Sequence, residues 1–446
     1  MTISSNKKYQ YIFFSILSIY FFFNGGNSNL FIQLNFILLS FFFLKCLKYK
    51  NYNLHLKSFF IQNKKSLILY ILFLLFLCIQ IIPLPFNLLK VFAFEKFKYI
   101  EILSSDIISS SISFSPTESF FQILNYSSIL LVLLITKMIL YNDRHKRRFY
   151  LFLSFIGFLC SLFAIILYLN GNPDLLFFKS QFYKTSSTGF FINRTVFAIF
   201  LLFSLISCLE LLKNLNENKI KSKNDNFFLK IYIRLFLVFI TTGIITSFSR
   251  IGNFLLLITI IFYFADELFF KKNKNKSFLV IILLIIIIDI LILGFYFGAS
   301  QVIDRFYFLD EELQSVDNSN INISRLEIIL FSFKQINNFL FFGYGSGSYE
   351  TIFQLKFINP DNKFANHAHS DLLEFLGEFG LIGFSLLLLS IIKFFTIKKN
   401  FNLINLILFC YLFLLLLFDF SFHIPVIQVL FVIFFSISSL RTTQIN

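Results

Sequence analysis

The sequence predicts an all-α, polytopic membrane protein, and three observations lead to that fold class. The 446-residue chain is 57% hydrophobic and has a mean hydropathy of +0.77. Charged residues make up only 14% of it, against about 25% in soluble globular domains. Its apolar runs are about 20 residues long and are separated by short polar clusters, which fits spanning helices and not the ten-residue alternation of barrel strands.

Charge and cysteine usage argue against two further classes of protein. The formal net charge is +15, but the lysines fall between apolar runs and form no single patch, so they report membrane orientation and not nucleic-acid binding. The cysteines lie within or at the ends of apolar runs without paired spacing, which predicts neither a disulfide framework nor a zinc site. They are Cys46, Cys78, Cys160, Cys208 and Cys410.

The apolar runs predict about 12 transmembrane helices. Loops rich in Lys and Arg alternate with poorly basic ones, so the positive-inside rule places both chain ends in the cytoplasm. The predicted spans are 9–23, 30–44, 66–84, 120–140, 149–169, 195–212, 231–247, an eighth that ends before 271, 277–297, a tenth that starts at 381, 403–418 and 424–440.

One long segment between spans nine and ten is predicted to lie on the periplasmic side. Its helix-periodic stretches at 325–342 and 371–379 predict a large helical loop, which we expect to fold as a cap on the membrane surface. The predicted divisions are 1–119 (spans one to three and an outer loop), 120–299 (spans four to nine), 300–380 (the large periplasmic loop) and 381–446 (spans ten to twelve).

Four arginines lie on the predicted outer side, where positive charge is normally depleted: Arg194, Arg250, Arg305 and Arg325. Arg194 and Arg250 stand at the outer ends of spans, and a guanidinium there is a good ligand for phosphate because its planar fork of donors stays charged. The alternative is that these two side chains extend to the phosphates of membrane lipids.

Two of the five histidines, His367 and His369, lie two residues apart on the same side. An imidazole is matched to general-base work on a hydroxyl acceptor. Two alternatives remain: a metal site, for which no third histidine or carboxylate is evident nearby, and histidines that only satisfy polar groups of a loop. Ser370 or Asp371 could cap the following helix, on which Glu374 and Glu378 lie one turn apart and are expected on a solvated face.

Two other features could carry function. The segment 343–347, Gly-Tyr-Gly-Ser-Gly, lacks the Lys-Ser/Thr of a nucleotide-binding loop, so a flexible turn is expected there. Asp289 and Asp419 are the acids nearest mid-span, and a solute transporter, which is a different class of protein, would use them as ion or proton carriers.

The outer motifs together resemble the O-antigen ligase family. The segment His369-Ser370, followed after nine residues by Gly380 and Gly383, is similar to the signature of that family. The segments 191–194 (Phe-Ile-Asn-Arg) and 249–252 (Ser-Arg-Ile-Gly) are similar to its other elements, as is the stretch from Arg325 into the glycine-rich turn. The resemblance covers about residues 120–400.

The resemblance implies a glycosyltransferase of the bacterial inner membrane whose active site faces the periplasm. It would move a glycan from an undecaprenyl-pyrophosphate carrier to a hydroxyl acceptor, without metal or other cofactor. Arg194 and Arg250 would hold the pyrophosphate, with Arg325 as a further substrate contact, and His369 would activate the acceptor, oriented by His367.

Several acceptors fit that resemblance. The expected partners are the carrier-linked glycan donor, lipid A-core or another glycan or protein acceptor, and membrane lipids, but no nucleic acid. A ligase of lipopolysaccharide biosynthesis in the cell envelope is the first interpretation. An O-antigen polymerase and a protein O-oligosaccharyltransferase are the alternatives within the family.

Overall fold

The computed structural model describes residues 3–103, 108–173, 184–217, 223–271, 278–281, 283–284, 287, 325–357, 365–396 and 402–438. Within these ranges the chain is almost entirely helical, as predicted. The helices are α1 (Ile3–Phe22), α2 (Asn29–Leu47), α3 (Lys50–Ile81), α4 (Phe86–Phe92), α5 (Phe94–Leu103), α6 (Pro116–Ile139), α7 (Asp143–Leu169), α8 (Arg194–Glu217), α9 (Lys223–Thr246), α10 (Arg250–Ala265), α11 (Arg325–Asn338), α12 (Tyr349–Lys356), α13 (Asp371–Thr396), α14 (Leu403–Phe418) and α15 (Pro425–Ser438).

Shorter elements join some of these helices. Single 3₁₀ turns form at Asn24–Gly26 and Ser421–His423, and α10 continues into a π-helical turn, Asp266–Phe270. Strands β1 (Leu84–Pro85) and β2 (Ser109–Ser110) pair antiparallel, with Leu84 opposite Ser110.

Eight helices in the described ranges are long and apolar enough to cross a membrane: α2, α3, α6, α7, α8, α9, α10 and α13. They correspond to eight of the predicted spans and confirm a polytopic membrane protein. Helix α1 matches the first predicted span in position, and α14 and α15 are shorter apolar helices at the last two. Most of the ninth span lies outside the described residues, as do Asp289 and Arg305, so the count of twelve stays a prediction.

Helix α8 is the centre of the membrane region, since 89% of its apolar 18-residue stretch is buried inside the protein. It packs against α7, α9, α10 and α15, and small residues allow the close approach. A Cβ on Gly157 of α7 would overlap the side chain of Ser204 of α8. The hydroxyls of Ser204 and Ser207 donate to carbonyls four residues back, at 3.2 and 3.0 Å, so these two buried hydroxyls are satisfied within the helix.

Helices α3, α6 and α13 form a second group that supports the outer segment. Ser66 of α3 and Ser390 of α13 exchange hydrogen bonds, each hydroxyl donating to the other's backbone carbonyl at 2.8 and 3.1 Å. At the opposite end of α3, the Gln80 amide donates to the carbonyls of Phe342 and Glu378, at 2.8 and 2.9 Å. Both segments of α13, before and after Gly380, are therefore tied to α3.

The predicted stretch at 325–342 contains α11, and the additional helix α12 joins it; we call this pair of helices the cap. The two helices share an apolar cluster with Tyr344 of the turn at 343–347. Ile328, Phe331, Tyr349 and Phe353 lie in one buried apolar cluster of this cap. An ion pair between Lys356 and Glu95, 3.0 Å long, joins α12 to α5.

The glycine-rich turn is closely packed, in contrast to the flexible turn that the sequence suggested. The backbone N–H groups of Tyr344 and Gly345 donate to the carbonyls of Gly377 and Glu378, at 3.0 and 3.2 Å. Gly343 has φ +71°, and a Cβ there would overlap the Glu378 carbonyl. Glycine is required at this position because the turn lies directly against the backbone of α13.

Helix α13 is broken at Gly380, which has φ 62° and ψ −178°. This break confirms the predicted helix at 371–379 and lies directly before Leu381, where the tenth span is predicted to start. The N–H groups of Leu381 and Ile382, which the break frees, donate to the carbonyls of Leu340 and Phe341 at 2.7 and 3.2 Å. The break thereby divides α13 into a first segment, 371–379, and a second segment, which corresponds to the predicted tenth span.

Candidate active site

The loop at 365–370 presents the two predicted histidines around one aromatic ring. His367 stacks on Phe420, with ring centroids 4.8 Å apart, and His369 meets the same ring edge-on at 5.2 Å. His369 has φ 56°, in the left-handed region that few residues other than glycine adopt. A residue other than glycine is strained in this region, and backbone strain of this kind is characteristic of functional sites. The side chains of His367 and His369 are both half-buried.

Glu374 holds this loop from the first segment of α13. Its Oε1 lies 3.0 Å from Nδ1 of His367, and its Oε2 accepts a hydrogen bond of 2.8 Å from the N–H of Ala368, between the two histidines. The expectation of a solvated face is wrong for Glu374 and Glu378, which are each 1% exposed. The turn of α13 that carries them faces the protein interior because α3, the cap and the α14–α15 turn surround it.

A third histidine, His423, joins the site from the 3₁₀ turn between α14 and α15. Its Nδ1 is hydrogen-bonded to Asp371, and its Nε2 lies 3.3 Å from Glu374 and 3.8 Å from Glu378. Burial disfavours its charged form, but the carboxylates of Glu374 and Asp371 outweigh burial and hold the pKa of His423 well above its ordinary value. The neighbouring carboxylates therefore favour the charged form of His423.

The sequence analysis did not single out His423, which lies 54 positions after His369. The available signal was the polar residues Asp419, Ser421 and His423 in a short turn between two apolar helices. Asp419, the residue that a transporter would use, accepts a hydrogen bond from the Ser421 hydroxyl, and its carbonyl accepts one of 2.9 Å from the N–H of Asp371. Asp419 thus helps to build the turn that carries His423.

Ser370 directly precedes α13, where a cap is expected, and both Ser370 and Asp371 also contact this turn. The Ser370 hydroxyl donates to the Leu416 carbonyl at 3.2 Å, and the Asp371 carboxylate accepts from the N–H of Phe422 at 2.7 Å. Both residues consequently fasten α13 to the end of α14 and the turn after it.

His369 is the neutral imidazole of the site. Burial, followed by the charges of Arg325 and His367, lowers the pKa of His369 to about 4, although Glu374 opposes this shift. Arg325 is the first residue of α11 and is exposed. At neutral pH, His369 can therefore accept a proton, and a cation stands close enough to influence it.

Arg194 and Arg250 are the first residues of α8 and α10, two helices that begin side by side. The Ser249 hydroxyl caps α10 by accepting from Gly252 N at 3.2 Å, and it donates to the Thr195 hydroxyl of α8 at 3.2 Å. A Cβ on Gly252 would lie 2.5 Å from Cβ of Ala198, so the glycine permits this approach. Two adjacent helix N-termini with half-buried arginines favour anion binding.

The structure thus groups the predicted residues into two sets. His367 and His369 contact the same Phe420 ring and the Arg325 charge lowers the pKa of His369, whereas Arg194 and Arg250 are related to each other through the ends of α8 and α10. That the two sets hold one substrate is part of the proposal below.

One group of described residues has the composition of a metal site. His367, Glu374 and His423 each offer one potential ligand atom within 4.8 Å of the others. The sequence analysis found no third ligand because His423 is distant along the chain. His₂–carboxylate sets bind zinc in other proteins, and here the Glu374 carboxylate lies 3.0 Å from Nδ1 of His367 and 3.3 Å from Nε2 of His423.

Comparison with known proteins gives one match. Residues 235–388 match the family model described as O-Antigen ligase. This range contains Arg250, Arg325, His367 and His369, whereas Arg194 and His423 lie outside it. A search of curated proteins found no match. The match confirms the resemblance that the sequence motifs indicated.

Proposed function

We propose that this chain, whose residues 235–388 belong to the O-antigen ligase family, moves a glycan from an undecaprenyl-pyrophosphate carrier to a hydroxyl acceptor at the periplasmic face of the inner membrane. Members of this family are ligases and polymerases that transfer lipid-linked glycans. The observation that carries the proposal is the neutral His369 imidazole, held in a strained and half-buried loop beside Arg325.

The proposed reaction is one displacement at the anomeric carbon of the donor sugar. The acceptor oxygen forms a bond to that carbon, and the bond from the carbon to the pyrophosphate oxygen breaks. The hydroxyl proton passes to the imidazole of His369, and undecaprenyl pyrophosphate leaves with the electron pair. General-base assistance of this kind contributes about 10²–10⁴ in rate.

The arginines supply the electrostatic part of the mechanism. Negative charge builds on the departing pyrophosphate, and Arg194 and Arg250 at the starts of α8 and α10 would neutralise it. Arg325 would contact the same donor from the cap. An imidazole with a pKa of about 4 is a weak base. The negative charge of a bound pyrophosphate would oppose the effect of Arg325, raise the pKa of His369 and so make His369 a stronger base.

An apolar cavity near the site supports a lipid-linked donor. The cavity, of about 150 Å³, lies among α3, α6, α13, α14 and α15, and Phe375 and Phe422, the neighbours of Glu374 and His423, line it. A segment of a polyprenyl chain can occupy such a space while the pyrophosphate stays at the membrane surface. A lipid carrier would account for an apolar cavity that is lined by the sequence neighbours of Glu374 and His423.

The acceptor determines which member of the family this chain is. A ligase would use lipid A-core, a polymerase would use another carrier-linked glycan, and a protein O-oligosaccharyltransferase would use a protein hydroxyl. We propose the ligase first, and no metal ion is needed in any of the three. A solute transporter is the remaining alternative, and it would depend on Asp289 or Asp419 in place of the outer histidine and arginines.

The test is a glycan profile of the envelope in a strain that lacks this protein, complemented with wild type, with His369→Ala or with the control His55→Ala. His55 lies in α3 near its predicted cytoplasmic end and stacks on Tyr141 at 4.2 Å, away from the proposed chemistry. We expect wild type and His55→Ala to restore the profile and His369→Ala not to. Arg194→Ala and Arg250→Ala should weaken the use of the donor.

The products separate the alternatives. Uncapped lipopolysaccharide with accumulated full-length carrier-linked glycan indicates a ligase, and single repeat units on the acceptor indicate a polymerase. An active His369→Ala protein at wild-type membrane levels contradicts the mechanism. An unchanged glycan profile in the deletion strain contradicts glycan transfer altogether and favours the transporter.

A further inference from the structure

We propose that His423 is a positioning residue for this transfer, because its ring holds Glu374 in the orientation that fixes the loop of His367 and His369. The inference rests on the proposed function, and it adds a residue that lies outside the matched family range.

The His423 ring is fixed on two sides. It is 6% exposed and stacks on Phe375, with centroids 4.3 Å apart and planes at 27°. Its Nδ1 is hydrogen-bonded to Asp371, whose other oxygen accepts from the N–H of Phe422 at 2.7 Å. Once the ring plane and Nδ1 are fixed, the direction of Nε2 is determined, and it faces Glu374 and Glu378.

Glu374 connects His423 to the catalytic loop. Its Oε1 lies 3.3 Å from Nε2 of His423 and 3.0 Å from Nδ1 of His367. Its Oε2 accepts a hydrogen bond of 2.8 Å from the N–H of Ala368, the residue that precedes His369. One carboxylate therefore joins the buried His423 ring to the His367 side chain and to the backbone of Ala368. Displacement of this carboxylate would release the backbone that holds His369 at φ 56°.

A histidine suits this place because of the charges around it. Asp371, Glu374 and Glu378 lie on one face of the first segment of α13 and are 0%, 1% and 1% exposed. Buried carboxylates are costly without an opposite charge, and an imidazolium offers donors on two separate sides of one rigid ring. His423 can thus contact Asp371 with one nitrogen and Glu374 with the other, which no single amide side chain can do.

Two isosteric variants separate these two contacts. In His423→Asn, the amide nitrogen takes the place of Nδ1, so the bond to Asp371 is kept and the contact with Glu374 is lost. In His423→Gln, the amide nitrogen takes the place of Nε2, so the contact with Glu374 is kept. If His423 acts through Glu374, the Gln variant retains more activity than the Asn variant. A role in folding alone, through Asp371, predicts the opposite order.

The control is the matched pair His145→Asn and His145→Gln. His145 is also a buried histidine, 7% exposed, and its Nδ1 lies 2.8 Å from the carbonyl of Ile139 near the predicted cytoplasmic start of α7. Each full-length variant is purified in lipid nanodiscs. Hydrogen–deuterium exchange of the peptide over 365–370 reports whether the Ala368 N–H stays protected, and steady-state kinetics with a carrier-linked glycan give kcat and KM.

We expect His423→Asn to lower kcat about 10- to 100-fold, with KM for the donor little changed, and to raise exchange at 365–370. We expect His423→Gln to lie closer to wild type in both measurements, and the His145 pair to match wild type in both. The double variant His423→Asn/Glu374→Gln should be no worse than the poorer single variant, because both changes interrupt the same connection.

Three outcomes would overturn the proposal. They are unchanged exchange at 365–370 in both His423 variants, additive losses in the double variant, and an Asn variant more active than the Gln variant. If His423→Asn does not fold, His423→Gln with Glu374→Gln still tests the connection through exchange. A wild-type protein without transferase activity, combined with increased exchange in His423→Asn, would refute the proposed function while the connection from His423 to the loop stands.

Discussion

The Oε2 atom of Glu374 accepts a hydrogen bond of 2.8 Å from the backbone N–H of Ala368, and through it α13 holds the loop that carries both histidines. The other oxygen of the same carboxylate contacts Nδ1 of His367 at 3.0 Å. A buried carboxylate with these partners acts on the loop backbone and on a side chain at once. The position of His369 therefore depends on a residue five positions later in the chain.

Replacing Glu374 with Gln should lower kcat about 10- to 100-fold, because charge-assisted hydrogen bonds contribute about 1.5–3 kcal/mol each and Gln keeps only part of them. The control is Glu350→Gln, which changes an exposed acid of α12 whose carboxylate accepts from Gln354 at 3.2 Å. Kinetics with carrier-linked glycan would check both variants. Equal kcat for Glu374→Gln and Glu350→Gln would show that Glu374 does not support the site.

The pH dependence of the reaction should respond to Arg325. Burial and then the Arg325 charge lower the pKa of His369 to about 4, so the active neutral base is present above that pH and the rate should fall as pH decreases through about 4. Removing the charge with Arg325→Gln should move this acidic limb of kcat/KM upward, toward the ordinary histidine value. Arg325→Lys, which keeps the charge, should move it less. An acidic limb that stays in place in Arg325→Gln would contradict His369 as the base.

The break at Gly380 should be sensitive to any side chain. Gly380 has φ +62°, and a Cβ there would overlap the Phe341 carbonyl and lie 2.5 Å from Gly343 N. Gly171 is a matched control, since it has φ +77° but nothing within 4 Å of an added Cβ. We expect Gly171→Ala to cost about 1 kcal/mol of unfolding free energy from backbone strain alone, and Gly380→Ala to cost more. Thermal unfolding in detergent would check this order. Equal losses of stability in Gly171→Ala and Gly380→Ala would contradict the prediction.

Filling the apolar cavity should weaken binding of a long polyprenyl donor. Leu387 of α13 lines the cavity, whereas its neighbour Leu388 is 43% exposed on the outside of the helix. Leu387→Trp should raise KM for a full-length carrier about tenfold, the effect of excluding roughly two CH₂ groups, and Leu388→Trp should not. A short-chain donor analogue should show a smaller difference. Equal KM values for the two Trp variants would show that the cavity is not part of the donor site.

Chelation should leave the reaction unchanged. Glu374 already contacts both His367 and His423, so we expect EDTA-treated protein in metal-free buffer to keep its full rate. The measurement is glycan transfer before and after chelation, with the metal content of the purified protein determined in parallel. Loss of activity that added Zn²⁺ restores would instead make His367, Glu374 and His423 metal ligands.

The sequence by itself determined the class of the protein and the location of most of its proposed chemistry. Long apolar runs have to become helices in a membrane, because lipid offers no partner for backbone polar groups. Arginines on the poorly basic side and the spacing from His369 to Gly380 and Gly383 indicated the family, and the break at Gly380 came where the predicted cap helix ends and the span begins.

Only the tertiary structure showed which side chains meet. Glu374 and Glu378 are expected on a solvated face by their helical spacing, but they are buried because three other parts of the chain cover that face. His423 joins the site from a turn between the last two helices, and the segment 343–347 is closely packed because α13 lies against it. Such contacts depend on how distant helices pack, and local residue patterns carry no information about that packing.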